Sequence, residues 1–130
     1  MFRLSDVNAL LKSNFTTYAF YNGTYDRAIP CIGIFLRDVS NPAVIAVGGI
    51  SNTSYNVLRT SLLVHWNENT DESEIVADNI YEYLIGKVGL TVGAKQVLFV
   101  EVEGNGPISL SRDENNICEF VVHANFYYQR

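Results

Sequence analysis

The sequence predicts an α+β domain: a largely antiparallel or mixed sheet with two helices packed on one face. Three observations carry that expectation. From Ile117 to Tyr128, Cys118, Phe120, Val122, Ala124, Phe126 and Tyr128 alternate with Glu119, His123, Asn125 and Tyr127, a period of two sustained over a long run. From about Asp71 to Ile85 the apolar residues recur at helical spacing instead. The remaining apolar runs are short and punctuated by Gly, Asn and Pro, the pattern of strands joined by turns.

Taken in order, Ser5 is placed to cap a first helix over Asp6 to Lys12, with Val7, Leu10 and Leu11 on one side and Asp6 in the first turn, where a carboxylate suits the helix dipole. Strand-like segments follow at Thr17 to Tyr21, Cys31 to Arg37 and Ala43 to Val47, separated by NGTYDRAIP and DVSNP. Tyr55 to Trp66 reads as a longer strand. Its Leu58, Leu62, Val64 and Trp66 share one parity and Arg59, Ser61 and His65 the other, so one face is expected to be buried.

The second helix is opened by NENTDESE, in which Asn69 with Glu72, or Asp71 with Glu74, forms a capping box; Gly86 is placed to end it. Val76, Ala77, Ile80, Tyr83 and Leu84 make its apolar side, and Asp71, Glu74, Asp78 and Glu82 its acidic one. GKVGLTVGAK reads as a loop, Gln96 to Val102 as a strand and EGNGP as a turn. The polar run RDENN supplies the turn of a closing hairpin, since Asn115 and Asn116 tolerate positive φ better than most residues.

At 130 residues the chain is expected to form one domain, residues 1 to 130, with a genuine core. Lys and Arg number 9 against 14 Asp and Glu, and charged residues make up 18%, below the roughly one quarter of an average soluble protein. A surface this poor in charge is expected to rely on neighbours to cover apolar area. The net charge of −5 opposes nonspecific phosphate binding, whose affinity comes from Lys and Arg displacing counterions. Cys31 and Cys118 are far apart in apolar runs and read as buried reduced thiols. The opening MFRLSDVNALLKSNF lacks the apolar stretch of a signal peptide, so the sequons at Asn14, Asn22 and Asn52 carry no weight. The longest apolar run, AVIAVGGI, is far short of a membrane span.

Catalytic constellations are poorly supported. No GxSxG is present, and Cys118 and His123 have opposite parity on one strand, which points them to opposite faces. Two histidines, His65 and His123, with no close Cys pair do not suggest a zinc site, and GKVGLTVGAK lacks the GxxxxGK[ST] spacing of a phosphate loop. Large rings, in contrast, occupy both parities of their segments: Tyr18, Phe20, Tyr21 and Tyr25 early, Phe126, Tyr127 and Tyr128 late. Core packing accounts for one parity; the other suits a protein interface.

The segment GPISLSRDENNICEFVVHANFYYQR resembles the closing signature of the bacteriophage minor capsid and tail terminator proteins: a short strand, an Arg-Asp-Glu-Asn turn, and a long strand with Asn-Phe near its end. Pro107, Leu110, Arg112, Asp113, Glu114, Asn115, Phe120, Asn125 and Phe126 carry the likeness, which extends more loosely to Leu58–Trp66 and Glu74–Leu84. Asn116 departs from the pattern, since many relatives place Gly there. The resemblance implies a tail-terminator-like fold without catalysis or cofactor. The subunit would form a homo-oligomeric ring, usually a hexamer, that caps the major tail tube protein and joins it to the head connector in the virion neck, after assembly in the bacterial host cytoplasm. DNA would slide through such a ring without specific binding, and no membrane is involved. Arg112, Asp113, Asn125 and Tyr127 are the expected assembly-interface residues; the acidic side of the second helix would face a lumen or a neighbouring subunit. A head completion or other neck protein is the nearest alternative. A different class, a small ligand-binding module or enzyme, would need Asp78 or Glu82 to converge with His65 beside the Gly86 to Lys95 loop.

Overall fold

The computed structural model describes residues 1–37, 47–49 and 54–130. It is α+β as expected. Its elements are α1 (Leu4–Asn14), β1 (Phe20–Asn22), β2 (Cys31–Leu36), β3 (Tyr55–His65), α2 (Thr70–Leu84), β4 (Val88–Val92), β5 (Lys95–Val102), β6 (Ile108–Ser109) and β7 (Glu119–Gln129). Among the described residues the strands form one seven-stranded mixed sheet in the order β1-β2-β3-β7-β5-β4, open at both ends, with β6 paired to β7 beyond the end of β5. Among the described strands only β1 and β2 run parallel; every other pairing is antiparallel.

Alternation decides which face is buried. Leu62 and Val64 of β3 stand opposite Val122 and Phe120 of β7 and opposite Ile34 and Ile32 of β2, and all six are buried. Val7, Leu10 and Leu11 of α1 and Val76, Ala77, Ile80 and Leu84 of α2 complete the same core. Phe2 joins it, its ring lying 5.7 Å from that of Phe126 and 5.8 Å from that of Tyr128. Fully burying each of the Val, Leu, Ile and Phe side chains contributes about 1.5–3 kcal/mol.

Local signals set most boundaries. Asn69 caps α2, its side chain accepting the Glu72 N–H at 3.2 Å, and Gly86 ends it in a left-handed conformation at φ 74°. The first helix starts earlier than Ser5 suggests, with Arg3 as N-cap. Asp6 reaches back to accept the Arg3 N–H at 2.7 Å, so a carboxylate inside the first turn does the work assigned to Ser5. β1 is displaced from Thr17–Tyr21 to Phe20–Asn22 because residues 15–18 close a turn: the Tyr18 N–H donates to the Phe15 carbonyl and the two rings stack. The strand expected over Ala43 to Val47 lies outside the described residues save Val47, which is in a turn.

The stretch read as a loop, GKVGLTVGAK, is instead a β-hairpin. Val92 pairs with Lys95 across the two-residue connection Gly93-Ala94, and Gly93 adopts φ 60°, which suits a primed turn with glycine first. The Lys95 ammonium lies 2.8 Å from the Asp6 carboxylate and ties the hairpin to α1. The closing hairpin is present, with Ile108 opposite Val121, and Asn116 in its turn adopts φ 64°. A non-glycine residue there accepts the conformation that glycine would adopt freely.

Candidate functional site

The second face of the sheet is treated differently along its length. At the β1 end the connection 23–30 folds back over it. Tyr25 packs its ring 5.2 Å from that of His65 and 6.3 Å from that of Phe35, and the Cys31 thiol donates to the Asp26 carbonyl at 3.3 Å. This cover accounts for the burial of Cys31 and His65 at 0% and 1% exposure although both lie on the face away from the helices. Burial pushes the Cys31 thiol above its ordinary pKa, so it stays protonated. Cys118 is buried as well and neither cysteine forms a disulfide.

Towards β5 no described helix covers this face. Cross-strand pairing of Val88 with Phe99, Phe99 with Tyr127 and Tyr127 with Val57 lays a row of apolar groups across four strands. Phe99 stacks on Tyr127 at 4.2 Å between centroids, and Tyr55 lies 5.9 Å beyond Tyr127. Val88 is 70% exposed and Phe99 41%. Leu98, the extra residue of a bulge between Val97 and Phe99, is also exposed. The bulge restores the alternation so that both Val97 and Val100 reach the core while Phe99 and Glu101 point away from it.

One row further along lies a polar network centred on Asn125, which is 3% exposed. Its amide donates to Glu101 at 2.8 Å and to Glu103 at 3.1 Å, and its oxygen accepts from Arg37 Nη2 at 2.8 Å. Arg37 also pairs with Glu103, and that hydrogen bond holds the Glu103 carboxyl below its ordinary pKa. Arg37 Nε is buried without a hydrogen-bond partner among the described residues. Burial, then the charge of Glu101, raises the Tyr127 phenol above its usual value, so it is a neutral hydroxyl at any physiological pH. Ser61 and His123 bond across the next row at 2.8 Å.

The structure thus brings two of the expected interface residues, Asn125 and Tyr127, to one face of the sheet, Asn125 buried and Tyr127 half-buried, and separates Arg112 and Asp113 from them. Those two do not pair with each other. Arg112 donates to the carbonyls of Glu68 and Asn116 and to the Thr70 hydroxyl, fastening the hairpin turn to the start of α2. Asp113 accepts the N–H groups of Asn115 and Ile117, both at 2.9 Å. Each has a role within the chain. Asp71, Glu74, Asp78 and Glu82 are exposed along α2, and the first three flank an exposed Ile75 in a shallow depression. His65 lines a separate cleft between the 27–30 segment and residues 66–69, so the convergence of Asp78 or Glu82 with His65 does not occur. Of the early aromatics, Tyr18 and Phe20 serve packing inside the molecule: Tyr18 lies 5.2 Å from Trp66 and, with Phe20, rests on the core.

Phe99, Tyr55, Arg37, Glu101 and Glu103 escape sequence reasoning because only strand pairing places them beside Asn125 and Tyr127. Parity on β7 is the one local signal that points to this surface. Compared with known protein families and with curated proteins, the chain matches no family model and no protein.

Proposed function

We propose that this chain is a structural subunit of a bacteriophage tail end, a tail terminator that forms a ring on the last ring of the tail tube and presents a surface to the head connector. The observation that supports it is the row Val88, Phe99, Tyr127 and Tyr55, which no described helix covers and which ends at the exposed edge strand β4. Stacked aromatics with part of their area in water lose it on association with a second copy, and rings of this kind anchor interfaces. The buried amide of Asn125 with its flanking carboxylates and Arg37 gives that surface a polar rim of fixed geometry. The resemblance of the Pro107 to Phe126 segment supplies the viral setting, and the left-handed Asn116 removes the obstacle of its missing glycine.

Sedimentation of the purified chain at high concentration, alone and with tail tube protein, tests the reading. Rings or tube-bound oligomers are expected. A species that stays monomeric under both conditions overturns it.

A further inference from the structure

His65, Asp113 and Glu119 converge where β3, the closing turn and the start of β7 meet. Nδ1 of His65 lies 3.1 Å from a Glu119 carboxylate oxygen and 3.8 Å from one of Asp113, and the three candidate ligand atoms all lie within 4.8 Å of one another. The imidazole is 1% exposed, and the Asp113 and Glu119 side chains 15% and 13%.

The hydrogen bonding around the cluster fixes what it needs. Nε2 of His65 faces the backbone carbonyl of Arg27 at 3.1 Å, and a carbonyl only accepts, so Nε2 carries a proton. In a neutral imidazole Nδ1 is then a lone pair directed at two carboxylates, and three acceptors so placed are the donor set of a metal ion. Orientation favours the metal. The backbone carbonyl at Nε2 is the kind of partner that fixes a ligating histidine. Two backbone N–H groups hold Oδ1 of Asp113, which leaves Oδ2 to face His65. Tetrahedral bonds of about 2.1 Å put ligand atoms about 3.4 Å apart, close to the two distances from Nδ1. Cys31, opposite His65 on β2, is engaged with Asp26 and stays out of the set.

We propose that His65 Nδ1, Asp113 and Glu119 form a site for a divalent transition metal, zinc or manganese, the ions suited to one imidazole and two carboxylates. The ion ties the 23–30 cover, β3 and the closing hairpin together. Its remaining coordination positions are filled by water, which the partly exposed carboxylates admit. This site is separate from the aromatic row of Phe99 and Tyr127 and does not depend on the tail-terminator reading.

Chelator-stripped protein titrated calorimetrically with Zn²⁺ and with Mn²⁺, with Mg²⁺ alongside, tests it. One ion bound per chain and a rise in Tm with zinc or manganese are expected. Glu119→Gln and Asp113→Asn should each weaken binding by roughly tenfold or more, and His123→Ala should leave it unchanged. Should either ligand variant fold poorly, long-range ¹⁵N spectra of the wild-type imidazoles give the answer: the His65 Nδ1 resonance must move on addition of metal. No binding by the wild type, equal binding by Glu119→Gln, or a His65 Nδ1 resonance unmoved by excess zinc overturns the proposal and leaves His65 hydrogen-bonded to Glu119.

Discussion

Phe99 of β5 and Tyr127 of β7 stack 4.2 Å apart with their planes 15° from parallel, on the part of the sheet that no described helix covers. A pair of this kind contributes about 0.5–1.5 kcal/mol beyond its area burial, which a folded monomer tolerates losing. Tyr127→Ser and Phe99→Ser are therefore expected to leave a folded chain while weakening self-association about tenfold or more. Sedimentation equilibrium beside a thermal melt separates the two effects; association unchanged by both substitutions would remove this surface from the interface.

Asn125 is a different case, since its amide is buried and satisfied on both sides. Asn125→Ala leaves Arg37, Glu101 and Glu103 without their shared partner, and the expected cost is about 1–3 kcal/mol. Urea denaturation of the variant measures it. A loss below the error of the extrapolation would mean that water replaces the amide without penalty.

Glu103 gives the molecule a pH dependence of known sign. Its folded pKa lies below the ordinary 4.5, chiefly because Arg37 hydrogen-bonds the carboxylate. The stability it contributes is thus present above the unfolded value and lost as pH falls through the folded one. The Glu103 side chain is 43% exposed, so screening limits the effect to at most about 1 kcal/mol. Glu103→Gln should be less stable than wild type at pH 7, with the gap closing below about pH 4. A gap independent of pH would assign the effect to packing.

Gly33 allows the 23–30 cover to approach β2. A Cβ at this position would meet the Phe35 ring at 2.6 Å and the Thr24 carbonyl oxygen at 2.8 Å. The ring can swing aside, but the carbonyl belongs to the backbone. Gly33→Ala should cost about 1–3 kcal/mol and loosen the Arg27 carbonyl from His65, visible as faster exchange of the His65 ring proton. A variant as stable as wild type would show that the connection has room to move.

Asn116 offers a test of turn chemistry. At φ 64° it accepts strain that Gly would not. Asn116→Gly is expected to be neutral or slightly stabilising, and Asn116→Val to cost about 1–2 kcal/mol. Thermal melts of the pair decide it, and equal melting points would mean that the turn changes conformation to suit its residue.

What could be read from the sequence is what is encoded locally. The Asn69 cap, the Gly86 stop and the five buried apolar residues of β7 each follow from neighbours a few positions away. The hairpin of β4 and β5 was hidden because Gly89 and Gly93 look like loop residues; both adopt positive φ inside a paired ribbon. Asp6 displaced Ser5 as cap because it satisfies the Arg3 N–H and Lys95 together. The remaining features depend on register. His65 meets Glu119 across 54 positions of sequence, and Phe99 meets Tyr127 only because a bulge shifts the pairing by one residue. No spacing within a single segment carries that information.

β7 follows every other described element in chain order, yet it lies in the interior of the sheet, between β3 on one side and β5 and β6 on the other. A nascent polypeptide emerging from the ribosome therefore holds β3 and β5 with unpaired edges, and its two halves have no common partner, until this ribbon arrives. Folding waits for it. During that interval the incomplete product is open to misassembly with other nascent copies, and the late strand joins the halves in one cooperative step.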